Sequence, residues 1–175
     1  MSQPFYCCHC GHAHESAPTL WPFQCQGCKR EHFRNPTPVA VGIFPVELAS
    51  GKLGLLTVRR AIPPKIGHLA LPGGYINLGE TWQQGCAREL FEEAGLTVDP
   101  ALLQLRDVFS VPGSVLIFAE SPPLSQAQFE TAQIDPHETQ ELVVLESPEE
   151  LAFATHTEMA QRFFLAKSRQ EHTPL

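Results

Sequence analysis

The stretch from Gly73 to Leu96 constrains this chain more than any other. A glycine-rich segment, Gly73-Gly74-Tyr75-Ile76-Asn77-Leu78-Gly79-Glu80, runs straight into the clearest helix of the sequence, residues 81–94. Gly95 then stands where a helix-terminating residue belongs. Cys86, Ala87 and Leu90 recur at helical spacing and give that helix an apolar face. Glu89, Glu92 and Glu93 lie three and four residues apart, so all three carboxylates share one face. Like charges at this spacing destabilise a bare helix, so something must compensate. Mg²⁺ or Mn²⁺ suits the task, because hard divalent ions take carboxylate and phosphate oxygens together. Arg88 is four residues before Glu92 and can tether it. Glu80 can reach the same region if the glycine-rich segment folds back. The bland alternative is a solvated acidic face.

The first 35 residues differ from the rest. Five of the six cysteines lie there, at Cys7, Cys8, Cys10, Cys25 and Cys28, with Cys86 far behind. Cys7 and Cys10, like Cys25 and Cys28, have two residues between them. Such paired turns bring four thiolates around one tetrahedral zinc ion, and the metal supplies folding energy that so short a segment lacks. Cys8 falls outside this spacing and reads as a bystander. His9, His12, His14 and His32 are alternative ligands. A full thiolate set leaves no open position, so this zinc is expected to be structural. Asn35-Pro36-Thr37-Pro38 reads as a linker. The expected organisation is a zinc ribbon at 1–35 and a second domain at 36–175.

With 12 basic and 19 acidic residues the formal net charge is −7, which argues against binding of bare nucleic-acid backbone. No 18-residue apolar run suits a membrane span, and residues 1–10 lack the basic start and apolar run of a secretory signal. Paired thiols that bind metal fit a reducing compartment, so the expectation is a cytoplasmic protein.

Strand-like segments fall at 39–46, 54–59, 69–71, 102–110, 114–120 and 141–145. Ser147-Pro148-Glu149-Glu150 reads as a capping box, and a final helix is expected over 157–168 with a frayed tail beyond. Met159, Phe163 and Phe164 are its expected inward residues. The fold class is α+β, a mixed sheet covered by helices.

Gly74, five residues, Glu80, seven residues, Arg88-Glu89-Leu90, one residue, Glu92-Glu93, one residue, Gly95-Leu96 resembles the signature of the Nudix hydrolase family at every fixed position. The resemblance covers about residues 38–168 as a domain. It implies the Nudix fold, a mixed β-sheet between α-helices, with the motif forming loop, helix and loop. It also implies a metal-dependent pyrophosphohydrolase acting on a small nucleotide. By the same resemblance Glu92 and Glu93 are the principal ligands of Mg²⁺ or Mn²⁺. Glu89 is a third ligand or a base, Arg88 orients the carboxylates, Glu80 is an accessory acid and Gly74 offers a backbone ligand. In some relatives the base lies outside the motif, and here Glu138 and Glu141 are the candidates. Homodimers are common in the family, so a homodimer is a family expectation.

A zinc ribbon before such a domain resembles NADH pyrophosphatases, but the Ser-Gln-Pro-Trp-type segment of those enzymes is missing here. The comparable stretch is Phe109-Ser110-Val111-Pro112-Gly113-Ser114. Those enzymes are also longer, with a further N-terminal domain. Pro112 stands where ADP-ribose pyrophosphatases tend to carry a proline. The compact arrangement resembles the group acting on FAD and ADP-ribose. ADP-ribose or FAD therefore ranks ahead of NADH and NAD⁺ as substrate. Phe44, Tyr75, Phe109 and Phe118 are aromatics that suit stacking on adenine or flavin, or else core. The rival of another class is a zinc-ribbon binding module whose second domain senses a nucleotide.

Overall fold

The structure of the chain, a computed structural model, describes residues 5–171. It divides into two compact units, Met1–Pro36 and Thr37–Leu175.

The first unit is two small antiparallel hairpins. β1 (Phe5–Tyr6) pairs with β2 (Ala13–His14), and β3 (Phe23–Gln24) pairs with β4 (Glu31–His32). Each hairpin turns through a cysteine pair with the same hydrogen bonds. Cys7 N–H donates to the His12 carbonyl and Gly11 N–H to the Cys7 carbonyl. In the second turn, Cys25 N–H donates to Arg30 and Lys29 N–H donates back to Cys25. The unit has few aliphatic residues, and Phe5, Trp21 and Phe23 pack edge to face in their place.

The second unit begins with β5 (Thr37–Ile43), β6 (Pro45–Glu47), β7 (Leu53–Arg60), β8 (Leu69–Ala70) and β9 (Gly73–Tyr75). α1 (Trp82–Ala94) follows, then β10 (Gln104–Val111), β11 (Ser114–Glu120), the short α2 (Gln126–Phe129), β12 (Thr139–Leu145) and α3 (Ala154–Glu171). One sheet runs β10-β11-β5-β9, and the β11–β5 pair is parallel while its neighbours are antiparallel. The other runs β12-β7-β6, with β8 also on β7.

Alternation along β5 explains the layers. Ala40 and the following Phe44 pack with Cys86, Leu90 and Ala94 of α1. Val41 and Ile43 point the opposite way, to Met159, Ala160 and Phe163 of α3. The result is a mixed sheet between helices, as the sequence leads one to expect. Leu90 is fully buried, and burying such a side chain contributes about 1.5–3 kcal/mol.

α1 is fixed at both ends by its own sequence. The Thr81 side chain accepts from Gln84 N–H at 3.2 Å, and the Gln84 side chain accepts from Thr81 N–H at 2.8 Å. Gly95 adopts φ +65°, and its N–H closes on the Phe91 carbonyl at 2.8 Å. A Cβ at Gly95 would sit 2.7 Å from the Gln133 carbonyl oxygen, so glycine is required twice over.

Some local expectations fail for tertiary reasons. Thr37 and Pro38 of the expected linker are already in β5, bonded to β11 and β9. Ser147 caps no helix. Leu151 and Ala152 are instead drawn into the core, Ala152 N–H donating to the Leu69 carbonyl at 2.7 Å, and α3 starts at Ala154, ahead of the expected 157. α3 continues to Glu171, past the expected fraying point, and the tail beyond it lies outside the described residues. Asp99 caps a 3₁₀ turn at Pro100–Leu102, which delays β10 to Gln104. Among the described residues, no helix is long and apolar enough to cross a membrane.

Candidate active site and metal centre

β9, the start of the glycine-rich segment, lies against α1. The register Ala40↔Gly74 and the bond from Ile76 N–H to the Pro38 carbonyl hold β9 to β5. From there the backbone meets the helix carboxylates. Gly73 N–H donates to Glu93 Oε2 at 3.0 Å. A Cβ on Gly74 would lie 2.4–2.5 Å from the Glu89 carboxylate, so any larger residue there must displace that side chain.

Arg88 is the hub of the cluster. Its Nε donates to Glu80 Oε1 at 2.8 Å, and Nη1 donates to both Glu89 Oε1 and Glu92 Oε2 at 2.7 Å. Nη2 reaches the Tyr75 carbonyl at 2.7 Å. Glu80 also accepts from Asn77 N–H at 2.9 Å, which folds the glycine-rich segment back over the helix. Glu80, Glu89 and Glu92 thus converge on one guanidinium, and Glu93 stands apart on the Gly73 N–H. They are not equivalent: Glu89 and Glu93 are buried, while the Glu92 side chain is 46% exposed.

The electrostatics follow from burial. Arg88 holds the Glu80 carboxyl below its usual range. Burial raises Glu89 despite Arg88. Burial also pushes Glu93 up to about 8, against the opposing Gly73 N–H and with the Glu89 and Glu138 charges adding to the rise. A buried carboxylate with this little compensation is costly. Three carboxylates and a close backbone strand are the hard-oxygen donor set that Mg²⁺ or Mn²⁺ takes, so these residues fit the ion that the sequence implies.

The two outlying carboxylates differ. Glu141 on β12 is tied to Arg59, whose Nε donates to its Oε1 at 2.7 Å. Glu138, just before β12, bears on both Glu89 and Glu93 through its charge. Two further groups escape sequence reasoning. Arg60, at the end of β7, lowers Glu93 through its charge and stacks over the Phe153 ring at 5.4 Å. His156 on α3 is buried, and its Nδ1 accepts from Leu71 N–H at 3.1 Å, two residues before Gly73. Burial pulls this imidazole down to about 3, with Arg60 adding to the effect. Arg60 falls one residue beyond the expected strand 54–59 and carried no signal of its own. His156 had none.

Of the aromatics, Phe44 and Phe118 are fully buried and belong to the core, which removes them as stacking surfaces. Phe109 is partly buried against the α3 side, and Tyr75 is exposed. Cys86 is buried core, its thiol pushed up to about 12 by burial.

In the first unit Cys7, Cys10, Cys25 and Cys28 gather their sulfurs within 4.8 Å of one another. Cys7 Sγ and Cys28 Sγ are 3.8 Å apart, as are Cys10 Sγ and Cys25 Sγ. Two Zn–S bonds of about 2.3 Å at the tetrahedral angle require about 3.8 Å. The backbone N–H of Cys28 draws the Cys25 thiol down, while burial and the neighbouring Cys7, Cys28 and Cys25 thiols push Cys10 up, so the four sulfurs cannot all be thiolates without a cation among them. The cluster fits a zinc ribbon.

The NUDIX domain family matches residues 36–166. The NAD-capped RNA hydrolase NudC of Salmonella heidelberg is 27% identical over 107 residues, which are 61% of this chain and 38% of that protein. The chain therefore spans well under half the length of such relatives. A NUDIX hydrolase from Nitrosomonas europaea superposes with a TM-score of 0.67 at 25% identity, over 99% of this chain and 95% of that one. The NUDIX domain of Shewanella oneidensis NrtR, solved with ADP ribose, has a TM-score of 0.56 at 16% identity, over 81% and 91% of the two chains.

Proposed function

The chain belongs to the NUDIX domain family, and on that premise we propose that it is a metal-dependent pyrophosphohydrolase of ADP-linked nucleotides. It cleaves the diphosphate of ADP-ribose or FAD and releases AMP. The observation that carries this reading is the Arg88 hub, which gathers Glu80, Glu89 and Glu92 beside the buried Glu93.

Glu89, Glu92, Glu93 and the Gly74 backbone would hold Mg²⁺ or Mn²⁺. When bound, the ion neutralises the diphosphate and supplies Lewis-acid assistance to cleavage of the P–O–P bridge. Arg88 sets the direction of Glu89 and Glu92, and Glu80 fixes Arg88 in turn. Gly73 N–H orients Glu93. The base is Glu138, which takes a proton from the attacking water; Glu141 is engaged with Arg59 and is the weaker candidate. Tyr75 is the aromatic free to stack on the adenine or flavin. Cys7, Cys10, Cys25 and Cys28 hold a structural zinc ion, and the enzyme is cytoplasmic.

A second reading is NAD⁺ or NADH as substrate. It is favoured by the 27% identity to a protein named for hydrolysis of NAD-capped RNA, since NAD also carries an ADP half.

The test is Glu93→Gln, which preserves shape and an acceptor for Gly73 N–H. Mg²⁺-dependent release of AMP from ADP-ribose should fall by at least about 100-fold while the fold is kept. Turnover that survives the substitution would overturn the site.

A further inference from the structure

We propose that Cys8, His9 and His32 form a second zinc site in the first unit, separate from the four-cysteine cluster. Their donor atoms lie within 4.8 Å of one another. Cys8 Sγ is 3.7 Å from His32 Nδ1. A Zn–S bond of about 2.3 Å and a Zn–N bond of about 2.05 Å at the tetrahedral angle put the two donors about 3.6 Å apart. The His9 and His32 rings have centroids 5.1 Å apart. One thiolate and two imidazoles are a ligand set that zinc accepts readily, with a fourth position left to water.

His32 is the anchor. It is buried, paired in register with Phe23 across the hairpin, and its ring stacks on Phe23 at 4.8 Å and 21°. Its Nε2 lies 3.3 Å from Cys7 Sγ, and with Cys7 a zinc-bound thiolate, which can only accept, the Nε2–H tautomer donates to that sulfur. The proton is then on Nε2 and the lone pair is on Nδ1, the nitrogen facing Cys8. An imidazole that donates its far N–H to an anionic partner is the usual arrangement of a metal-bound histidine. Cys8 and His9 are exposed and close onto this fixed ring from the surface. Charge favours the second ion as well. Four thiolates around Zn²⁺ carry a net −2, and a cation bound beside them is attracted. This gives Cys8, which the pairing of the other thiols leaves over, a role.

The second ion is held by fewer protein donors than the first and should bind more weakly. The 175-residue chain is equilibrated with buffered Zn²⁺ in excess Mg²⁺, and bound zinc is measured by elemental mass spectrometry, with Glu93→Gln run in parallel so that zinc on the carboxylate cluster is counted separately. The wild type should go from one zinc per chain to two as free zinc is raised. Cys8→Ser and His9→Ala should each stop at one. Titration with Co²⁺ gives an independent reading: the second equivalent should add a sulfur-to-metal charge-transfer band that Cys8→Ser lacks. Retention of the first ion reports that the hairpins of each variant are folded. A wild type that stops at one zinc overturns the proposal. So do variants that still take two, or the loss of both ions together in Cys8→Ser and His9→Ala alike.

Discussion

Gly74→Ala is the smallest change that tests whether the carboxylate geometry is what makes this site work. The new methyl carbon would stand 2.4 Å from Glu89 Oε2, where ordinary contact begins at 3.4 Å. β9 cannot retreat, because Ala40 pairs with Gly74 and Ile76 N–H is bonded to Pro38. The Glu89 carboxylate must therefore move by about 1 Å, and misplacement of that size costs about 100-fold in rate. Its 2.7 Å bond from Arg88 is lost in the process. A charge-assisted bond of this kind contributes about 1.5–3 kcal/mol. Glu89 is the end of a flexible side chain, so much of that is recovered by solvation, and unfolding stability should drop by only about 1–2 kcal/mol. The assay is steady-state AMP release from ADP-ribose at saturating Mg²⁺, read beside thermal unfolding. The expected result is kcat down about 100-fold in a protein that still folds. A kcat within a few-fold of wild type would refute the argument that Gly74 and Glu89 are matched.

Three other outcomes are expected. Glu93 titrates near 8 in the ion-free fold against 4.5 unfolded, so the stability it contributes when protonated is fully present below 4.5 and is lost as pH rises through 8, by up to about 1.4 kcal/mol per pH unit. Mg²⁺ must displace that proton, so the Mg²⁺-induced rise in Tm should grow between about pH 6 and about pH 8; a pH-independent rise in scanning calorimetry contradicts it. His156 runs the other way, titrating near 3 in the fold against 6.5 unfolded, so its contribution is present above 6.5 and is lost as pH falls toward 3. His156→Gln keeps an acceptor for Leu71 N–H and should flatten the acid limb of stability against pH; an unchanged limb contradicts the assignment. Stripping metal with a chelator should melt the two hairpins of the first unit while the far-ultraviolet signal of α1 and α3 persists; joint loss of both contradicts a zinc role confined to that unit.

What the sequence made legible was local. The Gly95 stop and the Arg88–Glu92 spacing act within one or two helical turns, and each is realised by hydrogen bonds between near neighbours, whereas the Thr81–Gln84 cap shows only in the structure, Thr81 standing just outside the helix it was expected to open. The two cysteine turns were readable for the same reason, since each is set by a few consecutive residues. Helical spacing did not distinguish the three carboxylates. Glu89 and Glu93 are buried and Glu92 is not, because β9 covers only part of that face. Arg60, His156 and Glu138 reach the site through the β7–β12 register and the docking of α3, which no local spacing encodes. Ser147 failed as a cap for a related reason. The burial of Leu151 and Ala152 prevailed over a local pattern whose contribution is only about 1 kcal/mol. Phe44 and Phe118 could be core or stacking surface by type, and alternation along β5 and β11 sent both inward.

The central claim is hydrolysis of a diphosphate that joins AMP to a second group. The most direct measurement incubates the zinc-loaded chain with Mg²⁺ or Mn²⁺ and, separately, ADP-ribose, FAD, NADH, NAD⁺ and a dinucleoside polyphosphate, with products identified by mass spectrometry. The account predicts AMP with ribose 5-phosphate from ADP-ribose, or AMP with FMN from FAD, in each case only when the divalent ion is present. A folded protein that releases AMP from none of these compounds would contradict it.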